Sequence, residues 1–167
     1  HTPQHTMVPM RVDDGSWAHA ERSTSLLGRI RQTWSCYHDR PFLGMPLDIQ
    51  HSAYAWKSYD DVFQMSRGVA IALQVLQRSS LLSVRPFIGV CLENCVEWIV
   101  VDLACALLGW VSVSLYTNTL KSVIGATVQK CSISVAFCHA GRVDAFVAAG
   151  VPVVVIVQEP AQEFKRS

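Results

Sequence analysis

Charge is scarce in this chain. Only 16% of its 167 residues are Asp, Glu, Lys or Arg, and 14 basic against 13 acidic residues leave a formal net charge of +1. No basic stripe stands out, so the electrostatic footprint of a nucleic-acid partner is missing and none is expected. The cysteines Cys36, Cys91, Cys95, Cys105, Cys131 and Cys138 include no CxxC pair, which removes the common zinc and redox signatures. Several stand among apolar neighbours, where a free thiol behaves as a small hydrophobe. Reduced structural thiols in a reducing compartment are therefore expected, in place of a disulfide framework. There is no G-x-S-x-G elbow, no internal repeat and no visible secretory signal, and the first residue is His1, which points to a partial or processed chain. What is abundant is apolar: half of the residues are hydrophobic. That excludes wholesale disorder, and a chain of this length is one ordinary domain able to bury a core.

Phe87 to Tyr116, FIGVCLENCVEWIVVDLACALLGWVSVSLY, organises the rest. Phe87 to Leu92 is a short apolar run after Pro86, suited to a strand buried on both faces. Asn94, with Glu97 three residues later, fits a capping box, so a helix is expected from near Cys95 to Leu108. Gly109 falls where a left-handed residue commonly ends a helix, and Val111 to Leu115 returns to a β-branched pattern. The helix carries only Glu97 and Asp102 as charges, so cover by protein on most sides is expected. At about 15 residues it falls short of the ~20 that a bilayer requires. Strand, helix and strand make one β-α-β unit.

Around this unit the chain reads as follows. Residues 1–16 form a loose arm with two prolines. A first helix spans Ser23 to Thr33, capped by Thr24 or Ser25, with Leu26, Leu27, Ile30 and Trp34 on one face and Arg22, Arg29 and Arg31 around the rest. Such a helix fits a membrane surface or, the favoured reading, docks on its own domain. Residues 37–41 turn into a strand at Phe42 to Met45, and Tyr54 to Tyr59 alternates as a half-exposed strand does. Ser58 and Asp61 form a second capping box for a helix over Tyr59 to Arg78, whose stripe of Val62, Met65, Val69, Leu73 and Leu76 faces the core. After Tyr116, residues 117–119 can cap a helix over Leu120 to Lys130 with Val123, Thr127 and Val128 inward. A strand at Ser134 to Cys138, a helix at Gly141 to Ala149 closed by Gly150, and a buried strand at Val153 to Val157 follow. Alternation of this kind implies an α/β fold with a mainly parallel sheet flanked by helices.

No catalytic, cofactor-binding or metal-binding residue is assigned. His1 and His5 lack a rigid frame and further ligands. Asp60 and Asp61 are adjacent carboxylates, but neighbours on a helix diverge by roughly 100° and Asp61 serves better as a cap. His139 follows a strand end, a place where ligand groups sit in open α/β sheets, and reads more readily as a hydrogen-bonded structural histidine. Trp98 reads as a core anchor. Gly125-Ala126-Thr127 and Ala140-Gly141-Arg142 each hold a lone glycine and cannot cradle a phosphate.

Tyr54-Ala55-Trp56-Lys57-Ser58-Tyr59, Ile88-Gly89-Val90, Asn94, Glu97-Trp98, Asp102, Ala104, Ala106, Gly109 and Ser112-Val113-Ser114-Leu115-Tyr116 stand in an order and spacing that resemble the N-terminal region of the adenylate-forming acyl-CoA synthetases. The long-chain fatty acid and bubblegum-type branches are the nearest in pattern. Asp39-Arg40-Pro41-Phe42-Leu43-Gly44 matches their D-(R/K)-P-x-L-G entry, and the likeness runs from about Ser23 to Val157. Ser114 stands where the family usually has proline, and Thr117 to Lys121 departs from the common wording of the branches. The resemblance implies a partial N-terminal subdomain of the adenylate-forming fold over residues 17–157, between the arm and a polar tail at 158–167. It implies a parent that joins a fatty acid to CoA with ATP and Mg2+, works in the cytoplasm or on the cytoplasmic face of a membrane, and has possible peripheral membrane contact. The family's Ser/Thr/Gly-rich ATP loop ending in P-K-G, its Y-G-x-T-E motif and its C-terminal lid lysine are absent from these 167 residues. The segment is thus expected to act as scaffold, with the rest of the parent chain as its partner and no activity alone. The alternative is a truncated non-catalytic module that binds protein or lipid.

Overall fold

The computed structural model describes residues 26–47, 53–79, 82 and 86–158. The expected arm at 1–16, both cap residues proposed for the first helix, and most of the tail lie outside them.

Helix α1 spans Leu26–Tyr37, longer at its C-terminal end than the pattern predicts. It docks on the domain through Trp34, which is buried and whose ring lies 4.2 Å from that of Phe63. Strands β1 (Pro41–Pro46) and β2 (Tyr54–Ser58) pair antiparallel as a hairpin. One hairpin face sends Leu43 and Met45 onto Val62, Val96 and Val100. On the other, Trp56 lies over its cross-strand partner Gly44, so closely that a Cβ there would sit 2.9 Å from the indole.

Helix α2 occupies Tyr59–Arg78, the span that its capping box sets. The Ser58 hydroxyl accepts the Asp61 N–H at 3.1 Å, while the Asp61 carboxylate accepts the Ser58 N–H at 2.8 Å. Two of the four orphan donors of the first turn are thereby satisfied locally. Val62 and Leu73 of the stripe are buried, and Met65, Val69 and Leu76 pack at its margins.

The central unit forms as β3 (Phe87–Cys91), α3 (Val96–Leu108) and β4 (Val111–Ser114), and β3 pairs parallel to β4. Every residue of α3 is buried or half-buried, as its shortage of charge requires. Gly109 ends the helix at φ 67°, a left-handed conformation that a Cβ would strain. The start differs from expectation. Cys95, extended at φ −144°, is the cap residue and makes no side-chain cap bond, so Asn94 stands one position too early to serve.

Two further units follow. Helix α4 (Lys121–Cys131) leads to β5 (Ile133–Cys138), and a 3-10 turn at Ala140–Arg142 with helix α5 (Val143–Ala148) leads to β6 (Val153–Ile156). Three expectations are corrected here. Leu120 is the α4 cap residue and has no side-chain cap bond, so residues 117–119 form a turn without capping. Ile124 and Val128 point inward, while Val123 is exposed and Thr127 is half-buried with its hydroxyl on the Val123 carbonyl. The β6 strand is half-buried at a sheet margin, because nothing among the described residues pairs beyond it.

The parallel sheet has the order β4-β3-β5-β6. From β3 the chain moves one way to β4 and then back across β3 to β5. Right-handed connections therefore place α3 and α4 on opposite faces. The cores agree: Leu73, Val101 and Cys105 of α2 and α3 meet Ile88, Val90, Val135 and Phe137 on one face. On the other face, Ile124, Val128, Ala145 and Phe146 of α4 and α5 meet Cys91, Ile133, Ala136 and Cys138. Burying Phe146 completely contributes roughly 3 kcal/mol of transfer free energy.

Candidate functional site

In an open α/β sheet the crevice that receives ligands lies outside the carboxyl ends of the strands, where the chain reverses its direction of travel along the sheet. Here that point falls between β3 and β5, whose last residues, Cys91 and Cys138, are register partners. His139, Arg142 and the loop after β4 complete the edge.

The chain's own groups occupy it. Cys91 donates its thiol to the Tyr116 carbonyl at 3.5 Å, and the Arg142 guanidinium donates to the Thr119 carbonyl at 3.2 Å. Arg142 thus ties the turn after β5 to the loop after β4 and lies near the end of β3 between them. His139 is buried, and its Nδ1 sits 3.1 Å from the Val157 carbonyl. A carbonyl only accepts, so Nδ1 is the donor in this contact.

The thiols are poor nucleophiles. Burial first, and then the neighbouring Cys91, push the Cys138 thiol up to about 11. Burial also raises Cys91, partly offset by the positive charge of Arg142. Both are protonated at neutral pH, and only a thiolate attacks. The arrangement supplies hydrogen-bond ties between loops and no nucleophile activated by a base.

The residues weighed from the sequence fall in separate places. Asp61 is engaged by Ser58, which lowers its pKa through the backbone N–H first and the hydroxyl second. Asp60 accepts from Gln64 at 3.3 Å. Gly125 lies within α4 and Gly141 within the 3-10 turn, so neither opens a loop onto a helix start. Trp98 packs on the α2/α3 core, as expected of an anchor. His1 and His5 lie outside the described residues. No three His, Cys, Asp or Glu side chains among the described residues are grouped to hold a metal ion. None of the described helices is long and apolar enough to cross a membrane. Sequence reasoning missed the Arg142 tie and the Cys91 and Cys138 pairing. The first joins residues 23 positions apart, and the second depends on strand order, so neither leaves a local signal.

Comparison with known proteins places this architecture. The sequence matches the AMP-binding enzyme family over residues 30–166. It is 34% identical over 84 residues to long-chain-fatty-acid–CoA ligase 1 of Cavia porcellus, an alignment covering 50% of this chain and 12% of that protein. Among solved structures, the adenylation domain of a carboxylate reductase from Mycobacterium chelonae superposes with a TM-score of 0.65 at 19% identity, covering 83% of this chain and 23% of that one. The fatty acyl-adenylate ligase of L. pneumophila, solved with acyl adenylate and pyrophosphate, gives 0.63 at 14% identity, with 82% and 24% covered. The chain spans less than a quarter of each of these relatives. Its α/β architecture is that of the N-terminal part of the adenylate-forming domain, and the chain belongs to the AMP-binding enzyme family.

Proposed function

We propose that this chain is an N-terminal portion of a long-chain fatty acid–CoA ligase and serves there as scaffold. The observation that carries the reading is the match to the AMP-binding family over residues 30–166, joined to the 34% identity with a long-chain-fatty-acid–CoA ligase. The parent would join ATP, a fatty acid and CoA to give acyl-CoA, AMP and pyrophosphate. An unreactive carboxylate needs a good leaving group, and Mg2+ would neutralise the phosphates.

The described residues do not fit ATP or Mg2+. They offer neither a glycine-rich cradle nor a group of three carboxylate, imidazole or thiol ligands. No adenylation step is therefore assigned to this segment. Its part is to hold a sheet, covered on both faces, on which the rest of the parent chain carries the ATP loop. Residues 17–157 form this partial domain, with the fatty acid, the cytoplasmic setting and peripheral membrane contact belonging to the parent.

The test is pyrophosphate exchange. The 167-residue protein, given ATP, Mg2+ and palmitate, should exchange labelled pyrophosphate no faster than buffer, and exchange above that level would overturn the scaffold role. Sequencing the transcript past Ser167 should reveal a Ser/Thr/Gly-rich loop ending in P-K-G. A downstream frame without one would remove the ligase parent.

A further inference from the structure

The fold sorts the chain's six thiols into separate places. Cys36 is exposed on α1. Cys95 and Cys105 pack on the sheet face that α2 and α3 cover, whereas Cys91, Cys131 and Cys138 belong to the face that α4 and α5 cover. Cys131 ends α4 just before β5 and Cys138 ends β5, so the strand holds these two roughly 20 Å apart. Cys91 and Cys138 are the pair that stands side by side.

Register sets this placement. Cys91 is the last residue of β3, Cys138 the last of β5, and they are partners in the parallel ladder. Adjacent strands run about 4.8 Å apart, inside the range of roughly 4.4–6.8 Å between Cα atoms that a disulfide spans. Val90 and Phe137, the preceding partners, point to the α2/α3 face, so alternation turns both thiols to the other one. The two sulfurs also interact, since Cys91 raises the Cys138 pKa.

In the reduced protein the Cys91 thiol has a task. It donates to the Tyr116 carbonyl at 3.5 Å, as Arg142 donates to the Thr119 carbonyl at 3.2 Å, and together they tie down the loop after β4. The Thr119 N–H closes that loop on the same Tyr116 carbonyl at 3.0 Å. A disulfide sulfur has no proton to donate, so joining Cys91 to Cys138 would remove the first tie.

We propose that Cys91 and Cys138 are a redox-sensitive dithiol, which a small hydroperoxide converts to a disulfide and which thereby releases the loop after β4 from β3. Cys91 is the attacking sulfur, because the Arg142 charge partly offsets the burial that keeps its thiol protonated. Its thiolate attacks one peroxide oxygen, the O–O bond breaks, an alcohol leaves, and Cys91 becomes a sulfenic acid. The Cys138 sulfur then attacks Cys91, the S–O bond breaks and water leaves with the Cys138 proton. Two thiols give up two electrons and two protons, and one hydroperoxide is reduced to alcohol and water. Burial makes the reaction slow and selects a small oxidant over a bulky disulfide reagent. The inference is independent of the ligase reading, because every group in it lies within the described fold.

The test treats the folded Cys36→Ser protein, free of its exposed thiol, with hydrogen peroxide. Remaining thiols are then blocked in denaturant and the peptides mapped by mass spectrometry. The expected product is a Cys91–Cys138 cross-link that dithiothreitol reverses. In the oxidised protein the Thr119 amide should exchange about threefold faster or more, because the loop has lost a tie. Cys138→Ser should stop at a Cys91 sulfenic acid, trapped by dimedone. In Cys91→Ser the hydroxyl can still donate to Tyr116, so Thr119 exchange should be indifferent to peroxide. Mapping and exchange before any substitution beyond Cys36→Ser stand even if these two variants fail to fold. Recovery of Cys91 and Cys138 as free thiols would overturn the proposal, as would a principal cross-link between other cysteines. A Cys91–Cys138 cross-link that leaves Thr119 exchange unchanged would overturn the release of the loop.

Discussion

Gly89 sits in the middle of β3, one of the two strands with neighbours on both sides, and a Cβ built there would meet Ile133 Cγ2 at 3.2 Å and Cδ1 at 3.3 Å. Both are tighter than ordinary contact, and the next atom, Ala136 Cβ at 3.7 Å, is not. Two effects oppose each other in Gly89→Ala. Alanine loses less backbone freedom on folding, which favours it by roughly 0.5–1 kcal/mol. Overpacking a filled core costs about 1–3 kcal/mol. Ile133, the first residue of β5, is itself buried in the α4/α5 core, with little room to retreat, so the second effect should win by about 1–2 kcal/mol. Urea unfolding followed by tryptophan fluorescence reads the difference as a lower midpoint with unchanged slope. Ile133→Val, which deletes Cδ1, should cost roughly 1 kcal/mol alone. Combined with Gly89→Ala it should cost visibly less than the sum, because the deleted atom is one of the two in conflict. A Gly89→Ala protein as stable as the original, or strict additivity of the pair, would refute this account of why glycine stands there.

Other outcomes follow from the same structure. Ser58→Ala should lower stability by about 1 kcal/mol, seen as an earlier thermal transition, because the Asp61 N–H loses its acceptor. Asp61 has a folded pKa below its ordinary value, so its contribution is present above the unfolded pKa and is lost as pH falls through the folded one. Thermal melts should show that loss below about pH 4, and Asp61→Asn should flatten it. Ser132, left-handed at φ 52°, should accept glycine with a gain of up to about 1 kcal/mol, and a destabilised Ser132→Gly in chemical unfolding would contradict the strain. Cys36 is exposed, whereas burial, then the Asp102 charge, hold Cys105 at about 12, and Cys138 stands at about 11. A disulfide reagent at pH 8 should modify Cys36 quickly and these two only on unfolding, and the fast phase should vanish in Cys36→Ser.

The sequence is most readable where the controlling chemistry is local. Ser58 and Asp61 fix the start of α2 because the two side chains and the two N–H groups that they satisfy lie within one turn. Gly109 ends α3 for an equally local reason, its positive φ. Failures arise where one residue of phase matters or where distant segments decide. Asn94 is an excellent cap type standing one position before the residue that caps, and no propensity separates it from Cys95. On α4 the inward face follows Ile124 in place of Val123, a shift set by how the helix lies on β5. Whether Val153 to Ile156 lies inside the sheet or at its margin depends on strand order, which the residues of the strand do not encode. The crowded carboxyl end of β3 is likewise invisible from sequence, since Arg142, Thr119, Cys91 and Tyr116 come from three different loops and strand ends.

The strand order also bears on how the protein is made. Synthesis delivers β3, α3 and β4 as one contiguous unit, but the second neighbour of β3 is β5, which emerges only after α4 has been completed. Until then the nascent chain carries the central strand of its future sheet with one side bare, and the apolar face around Cys91 waits for Ile124, Ala136 and Phe146. Non-local pairing is slow and leaves such surfaces open to wrong partners. The interval between β4 and β5 leaving the ribosome thus leaves β3 paired on one side only, and a translational pause there would prolong that exposure.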